Sequence, residues 1–137
     1  MEIRNLMDTD YSVIYALCVK NNYLSYLFSS FDTFTSFVEF NPTTCFVIEE
    51  KNAIIGILLA SYDGLKCTIY HILVDSEYRR LGYGSKLLQA LDKACKDKNR
   101  VNIGVSTYAT NDAFRKFMKY NSYFNRDDFT YFTRNIL

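Results

Sequence analysis

Three runs rich in branched and other apolar residues, 43–49, 53–62 and 65–74, follow one another with only Glu50-Lys51-Asn52 and Asp63-Gly64 between them. Strands joined by connections this short pair antiparallel, so the middle of the chain is committed to a meander of three neighbouring strands. A helix over about 84–98 comes next, with Leu87, Leu88, Leu91, Ala94 and Cys95 on one face and Asp92, Lys93, Lys96 and Asp97 on the other. Its apolar stripe has to pack on the sheet, and residues 101–107 then read as a strand reached by a βαβ crossover. Upstream, residues 2–6 alternate like a short strand. Asp8 or Thr9 can cap a helix whose Tyr11, Ile14, Tyr15 and Cys18 share a face, and a second helix begins near Ser30 and stops at Asn41-Pro42. Downstream, Asn111 can cap a helix over 113–119, and two last strands are expected to meet around Asp127-Asp128. The order β-α-α-β-β-β-α-β-α-β-β predicts an α/β (α+β) fold, with a mostly antiparallel mixed sheet and helices on both faces.

At 137 residues the chain is expected to form a single domain, large enough to need neither disulfide nor metal to hold it. The formal net charge is +1, with Lys and Arg spread from Arg4 to Arg134, so no basic footprint for nucleic acid stands out. Cys18, Cys45, Cys67 and Cys95 are widely separated among apolar neighbours, without the spacing of a zinc or redox pair, and read as buried free thiols. That usage suits a reducing compartment. The N-terminal MEIRNLMDTD lacks a secretory apolar stretch, and no apolar run approaches the roughly 20 residues needed to span a bilayer. A cytoplasmic protein with no membrane partner is expected.

The junction DSEYRRLGYGS, residues 75–85, is the most informative stretch. A helix start leaves about four backbone N–H groups without internal partners and carries roughly half a positive charge, so it attracts phosphate. Gly82 and Gly84 let a ligand approach the backbone closely, while Arg79, Arg80 and Lys86 add full charges. A phosphate or diphosphate ligand is expected. The string is not a Walker A loop, and GYGSKL has Leu87 where a dinucleotide fingerprint places its third glycine.

With ILVDSEY before it, Arg79-x-x-Gly82-x-Gly84 resembles the acetyl-CoA motif of the GNAT superfamily, the general-control-type N-acetyltransferases. The downstream 111–123 segment is similar to that family's helix beside the pantetheine arm. The resemblance implies that backbone N–H groups of Arg79, Arg80, Leu81, Gly82, Tyr83, Gly84 and Ser85 hold the diphosphate of acetyl-CoA, a co-substrate used without a metal. It also implies that the Leu73 and Val74 backbone meets the pantetheine amides, with the Val74 N–H as oxyanion donor, and that Asn111 touches the pantetheine arm, a role its place as a helix cap does not exclude. Where the family usually carries a tyrosine acid, seven residues after that asparagine, this chain has Met118, which the resemblance puts among the cofactor-binding residues, and the family's Gly-Phe ending becomes Ser122-Tyr123.

Tyr120 is the nearby substitute acid, although it and Met118 point some 200° apart on a helix. Either Tyr120 protonates the leaving thiolate or it is an ordinary core or surface tyrosine. His71, the one histidine, is the candidate base on the strand entering the turn, with a structural role as its alternative. Asp75 and Glu77 read as solvated turn residues, and Cys67 as a buried thiol rather than a nucleophile. The aromatic residues Tyr23, Tyr26, Phe28, Phe31, Phe34 and Phe37 either pack the core or flank an acceptor pocket. The expected partners are acetyl-CoA and an amine of a small molecule or peptide, with a homodimer left open. The competing readings are a degenerate acyl-CoA-binding sensor or scaffold and an unrelated nucleotide-binding module.

Overall fold

A strand covered on both faces shows an unbroken apolar run rather than alternation, and residues 55–60 are consecutively buried. The computed structural model describes residues 1–98, 102–107 and 109–136, and for Tyr26 the backbone only. It places that run in β3 (Ala53–Tyr62), the centre of a five-stranded sheet. The other strands are β1 (Glu2–Asn5), β2 (Cys45–Glu50), β4 (Lys66–Val74) and β5 (Asn102–Val105), in the order β1-β2-β3-β4-β5. All neighbours are antiparallel except β4 and β5, which are parallel across the crossover. The β2–β3 hairpin closes with Glu50 opposite Ala53, and Lys51 (φ 51°) and Asn52 (φ 67°) both adopt the left-handed conformation that suits the twist of a two-residue turn.

The helices are α1 (Tyr11–Lys20), α2 (Phe31–Phe40), α3 (Tyr83–Lys96) and α4 (Asp112–Tyr120). One face of the sheet packs under α1 and α2: Ile14, Leu17, Cys18, Phe28, Phe34 and Val38 meet Cys45, Val47, Ile57, Leu59 and Leu73. Tyr15 lies outside this set and Leu17 replaces it, because the helix turns its Ile14–Leu17–Cys18 ridge inward. On the opposite face α3 buries Leu87, Leu88, Leu91 and Cys95. The chain enters α1 through Arg4, whose guanidinium makes two 2.9 Å bonds to Asp10. Ser30 caps α2, its Oγ accepting from the Thr33 N–H at 3.0 Å.

The chain forms two compact units, residues 1–106 and 107–137. In the second unit α4 ends with Ser122 N–H donating to the Lys119 carbonyl and Tyr123 N–H to the Met118 carbonyl, both at 3.0 Å. This is the Schellman arrangement, and Ser122 (φ 71°) takes the left-handed position that glycine fills at no steric cost. The two terminal strands expected around Asp127-Asp128 do not form, since residues 124–136 contain no strand. There the polar side chains bond one another locally, Arg126 to Asp128 at 2.9 Å and Asn125 to Asp127 at 3.0 Å. Val101, the expected first residue of β5, lies outside the described residues. Among the described residues no helix is long and apolar enough to cross a membrane.

Candidate active site at the open end of β4

Pairing between β4 and β5 runs from Lys66 opposite Asn102 to Ile69 opposite Val105 and stops, while β4 continues to Val74. The break coincides with an irregularity toward β3, where Leu59 faces His71 and Ala60 faces Ile69, leaving Tyr70 as an extra residue. An extra residue bends a strand, and beyond it β4 has left β5. At the far end Asp75 N–H donates to the Ile55 carbonyl of β3 at 2.8 Å. Because backbone groups alternate sides along a strand, Val74 turns its N–H and carbonyl to the edge vacated by β5. Leu73 is correspondingly turned toward β3, opposite Ile57. Of the two backbone positions expected to meet the pantetheine arm, therefore, Val74 faces the opening and Leu73 does not; Ile72 shares Val74's orientation.

The turn after Val74 is held from the far side of the fold. Asn21, the residue after α1, accepts from Ser76 N–H at 3.0 Å and donates to Asp75 Oδ1 at 3.4 Å, while Lys20 Nζ lies 2.9 Å from both Asp75 Oδ2 and Glu77 Oε2. Asp75 is thus buried and paired rather than solvated as its turn position suggested, with 5% of its surface exposed. Burial opposes its ionisation, but the hydrogen bonds from Lys20 and Asn21 outweigh it and keep the carboxyl below its usual range. Glu77 is the exposed member of the pair. These contacts span more than fifty residues of sequence, so no local pattern announced them.

Arg79 folds back on the turn, its Nε donating to the Val74 carbonyl at 3.0 Å. Arg80 and Leu81 are exposed, and Arg80 has φ 63°, an uncommon value for a residue with a side chain. Gly82, at φ 86°, starts α3. Lys86 N–H makes the first helical bond, to the Gly82 carbonyl at 3.1 Å, so the amides of Tyr83, Gly84 and Ser85 precede the helical ladder. Tyr83 anchors the start, its phenol donating to Glu50 Oε2 at 2.8 Å. Three amides without a partner inside the helix and the positive end of its dipole lie at this start, a combination that favours an anion.

His71 is only 1% exposed. Its ring lies 4.2 Å from that of Tyr23 and 5.3 Å from that of Phe28, centroid to centroid, and its Nε2 is 3.6 Å from Cys18 Sγ. Among the described residues Nδ1 has no hydrogen-bond partner. Burial pushes the imidazole down to about 4, so it is neutral at neutral pH. The folded pKa lies below the unfolded value of about 6.5, so the unfolded chain binds more protons between those values. Stability contributed this way is full above pH 6.5 and falls as the pH drops toward 4, by up to about 3 kcal/mol. Urea melts from pH 7.5 to 4.5 are expected to show this loss, and a His71→Phe variant is expected to flatten it; equal slopes in the two proteins would place the titration elsewhere.

Phe28 and Phe34 belong to the core, Phe37 packs edge-on against the exposed Tyr70 at 5.5 Å, and Tyr23 and Phe31 are partly exposed. The side chain of Tyr26 lies outside the described residues. In the second unit Asn111 caps α4, its Oδ1 accepting from Phe114 N–H at 3.2 Å. Met118 is buried, whereas Tyr120 is 82% exposed.

The sheet thus opens beside its fourth strand, next to a glycine-led helix start. A sequence model of the acetyltransferase (GNAT) family matches residues 2–122, and the chain belongs to that family. Solved structures share the fold at low identity. Ard1 from Thermoplasma volcanium is 23% identical, with a TM-score of 0.75 over 87% of this chain and 80% of that one. The Escherichia coli N-acetyltransferase that acts on an alanine of a ribosomal protein is 20% identical, with a TM-score of 0.75 over 87% and 74% of the respective chains. The diaminobutyrate acetyltransferase EctA from Paenibacillus lautus, solved with L-2,4-diaminobutyric acid and coenzyme A, is 22% identical, with a TM-score of 0.73 over 87% and 73%. No curated protein matches the sequence.

Proposed function

We propose that residues 1–137 act as one N-acetyltransferase domain that moves the acetyl group of acetyl-CoA directly to a primary amine of a small molecule or peptide. The observation that carries this reading is the Val74 amide, turned to the edge β5 has left and followed by the open amides of Tyr83, Gly84 and Ser85. The diphosphate sits on the 79–85 turn, with the thioester carbonyl at Val74. The amine nitrogen attacks the carbonyl carbon, and the Val74 N–H stabilises the negative charge that develops on oxygen. As the tetrahedral intermediate collapses, the C–S bond breaks, coenzyme A leaves as a thiolate, and the nitrogen loses its proton to water. A solvent proton suffices for the thiolate, which is a stable leaving group. The burial of His71 favours a packing role over that of a base.

Free thiol released from acetyl-CoA in the presence of an amine and peptide panel is the direct measurement. Acetyl-CoA and coenzyme A are expected to raise the melting temperature by several degrees at a hundredfold their Kd, a gain of about 2.7 kcal/mol. ATP and NADH are expected to leave it unchanged. Stabilisation without thiol release across the panel would leave a binding protein, and no stabilisation would remove the coenzyme site.

A further inference from the structure

Cys67 and Cys95 lie 28 positions apart in sequence, yet their sulfurs are 2.9 Å from each other. Cys67 stands inside β4, paired with Tyr62 on one side and Ile103 on the other, and is fully buried. Cys95 is the penultimate residue of α3 and 5% exposed. Both are free thiols, as are Cys18 and Cys45, whose sulfurs instead face a histidine ring and a backbone carbonyl. We propose that Cys67 and Cys95 are a site of reversible oxidation, forming a disulfide that staples the last turn of α3 to β4 when the protein meets a peroxide or a disulfide oxidant.

The chemistry balances with hydrogen peroxide as oxidant. The Cys95 sulfur attacks one peroxide oxygen, the O–O bond breaks, and a sulfenic acid and one water result. Cys67 then attacks that sulfur, the new S–S bond displaces the hydroxyl as a second water, and the two thiol protons leave in the waters. Two thiols are oxidised and one peroxide is reduced. The order follows from position: helix ends fray, so Cys95 meets the oxidant first, while Cys67 is fixed by ladders on both sides. Burial pushes the Cys95 thiol up to about 12, which makes the first step slow at neutral pH and confines it to frayed molecules. Closure of the frayed turn returns the Cys95 sulfur to its place beside Cys67 for the second step.

The disulfide closes a loop containing the open end of β4 and the whole 75–85 turn. Closing a loop of this length removes enough unfolded-state freedom to raise the melting temperature by roughly 8–12 °C. The two sulfurs are in contact whether or not the protein is an acetyltransferase. The test treats the folded protein with hydrogen peroxide or glutathione disulfide, then applies intact mass and peptide mapping without reduction. A loss of two hydrogens, a Cys67–Cys95 cross-linked peptide, a melting increment in that range and reversal by dithiothreitol are expected. Cys95→Ser and Cys95→Ala should each lose the cross-link and the increment. Oxygen added to single cysteines without a cross-link, equal oxidation of Cys18 or Cys45, or a cross-link formed only in urea would each overturn the proposal.

Discussion

Replacing Gly82 with aspartate is expected to weaken acetyl-CoA binding about 100-fold while leaving the protein folded. The site separates these two effects. Gly82 has φ 86°, and a Cβ built there meets no atom within 4 Å, so the substitution brings no clash, only the cost of a left-handed residue. That cost is on the order of 1 kcal/mol, and aspartate and asparagine bear it better than other side chains. The charge is another matter. At an effective dielectric of 20 and separations near 5 Å, a carboxylate opposes each negative charge of a diphosphate by about 3 kcal/mol. Screening at an exposed turn reduces the sum but leaves enough for two decades of affinity. Gly82→Asn shares the shape and backbone tolerance without the charge, and is expected to lose about tenfold or less. Titration calorimetry on the three proteins reads the difference directly. Equal affinity in the aspartate variant would mean that the diphosphate binds elsewhere.

What could be read from the sequence follows the range of the forces involved. The bounds of β3, Ala53 and Tyr62, are legible because a central strand buried on both faces has an unbroken apolar run and turn residues at each end. The entry into α3 is also legible, since Gly82 and the Leu87–Leu88–Leu91 stripe carry their own backbone and packing signals. The extra residue at Tyr70 is not, though it decides where β4 parts from β5, because an irregularity arises from the mismatch of two strands rather than from one string. The clamp of Lys20 and Asn21 on Asp75, the burial of His71 and the Cys67–Cys95 contact are hidden for the same reason: each joins residues from separate elements. The terminal strands failed differently. Residues 124–136 have the aromatic composition of strands, but composition cannot supply a pairing partner, and the segment holds no strand.

Gly56→Val is expected to cause the largest loss of stability, about 3 kcal/mol, or roughly 6–12 °C in melting temperature. A Cβ at Gly56 would lie 2.7 Å from Ile48 Cγ2, 3.1 Å from the Leu73 carbonyl oxygen and 3.5 Å from Leu87 Cδ1. None of these can move aside cheaply. Ile48 is β-branched and fully buried, Leu87 is held between α3 and the sheet, and the Leu73 oxygen belongs to the backbone of β4. Valine's better strand propensity returns at most about 1 kcal/mol of this. The functional consequence is more specific than the loss of stability, because the Leu73 carbonyl and the Val74 N–H are two ends of one planar peptide. Pressure on that oxygen from β3 tilts the amide on the opposite edge, where the thioester carbonyl is proposed to sit. At a temperature where the variant remains folded, kcat is therefore expected to fall at least tenfold while the affinity for coenzyme A, held at the turn, changes little. Reduced stability with unchanged kcat would separate the Val74 amide from the chemistry.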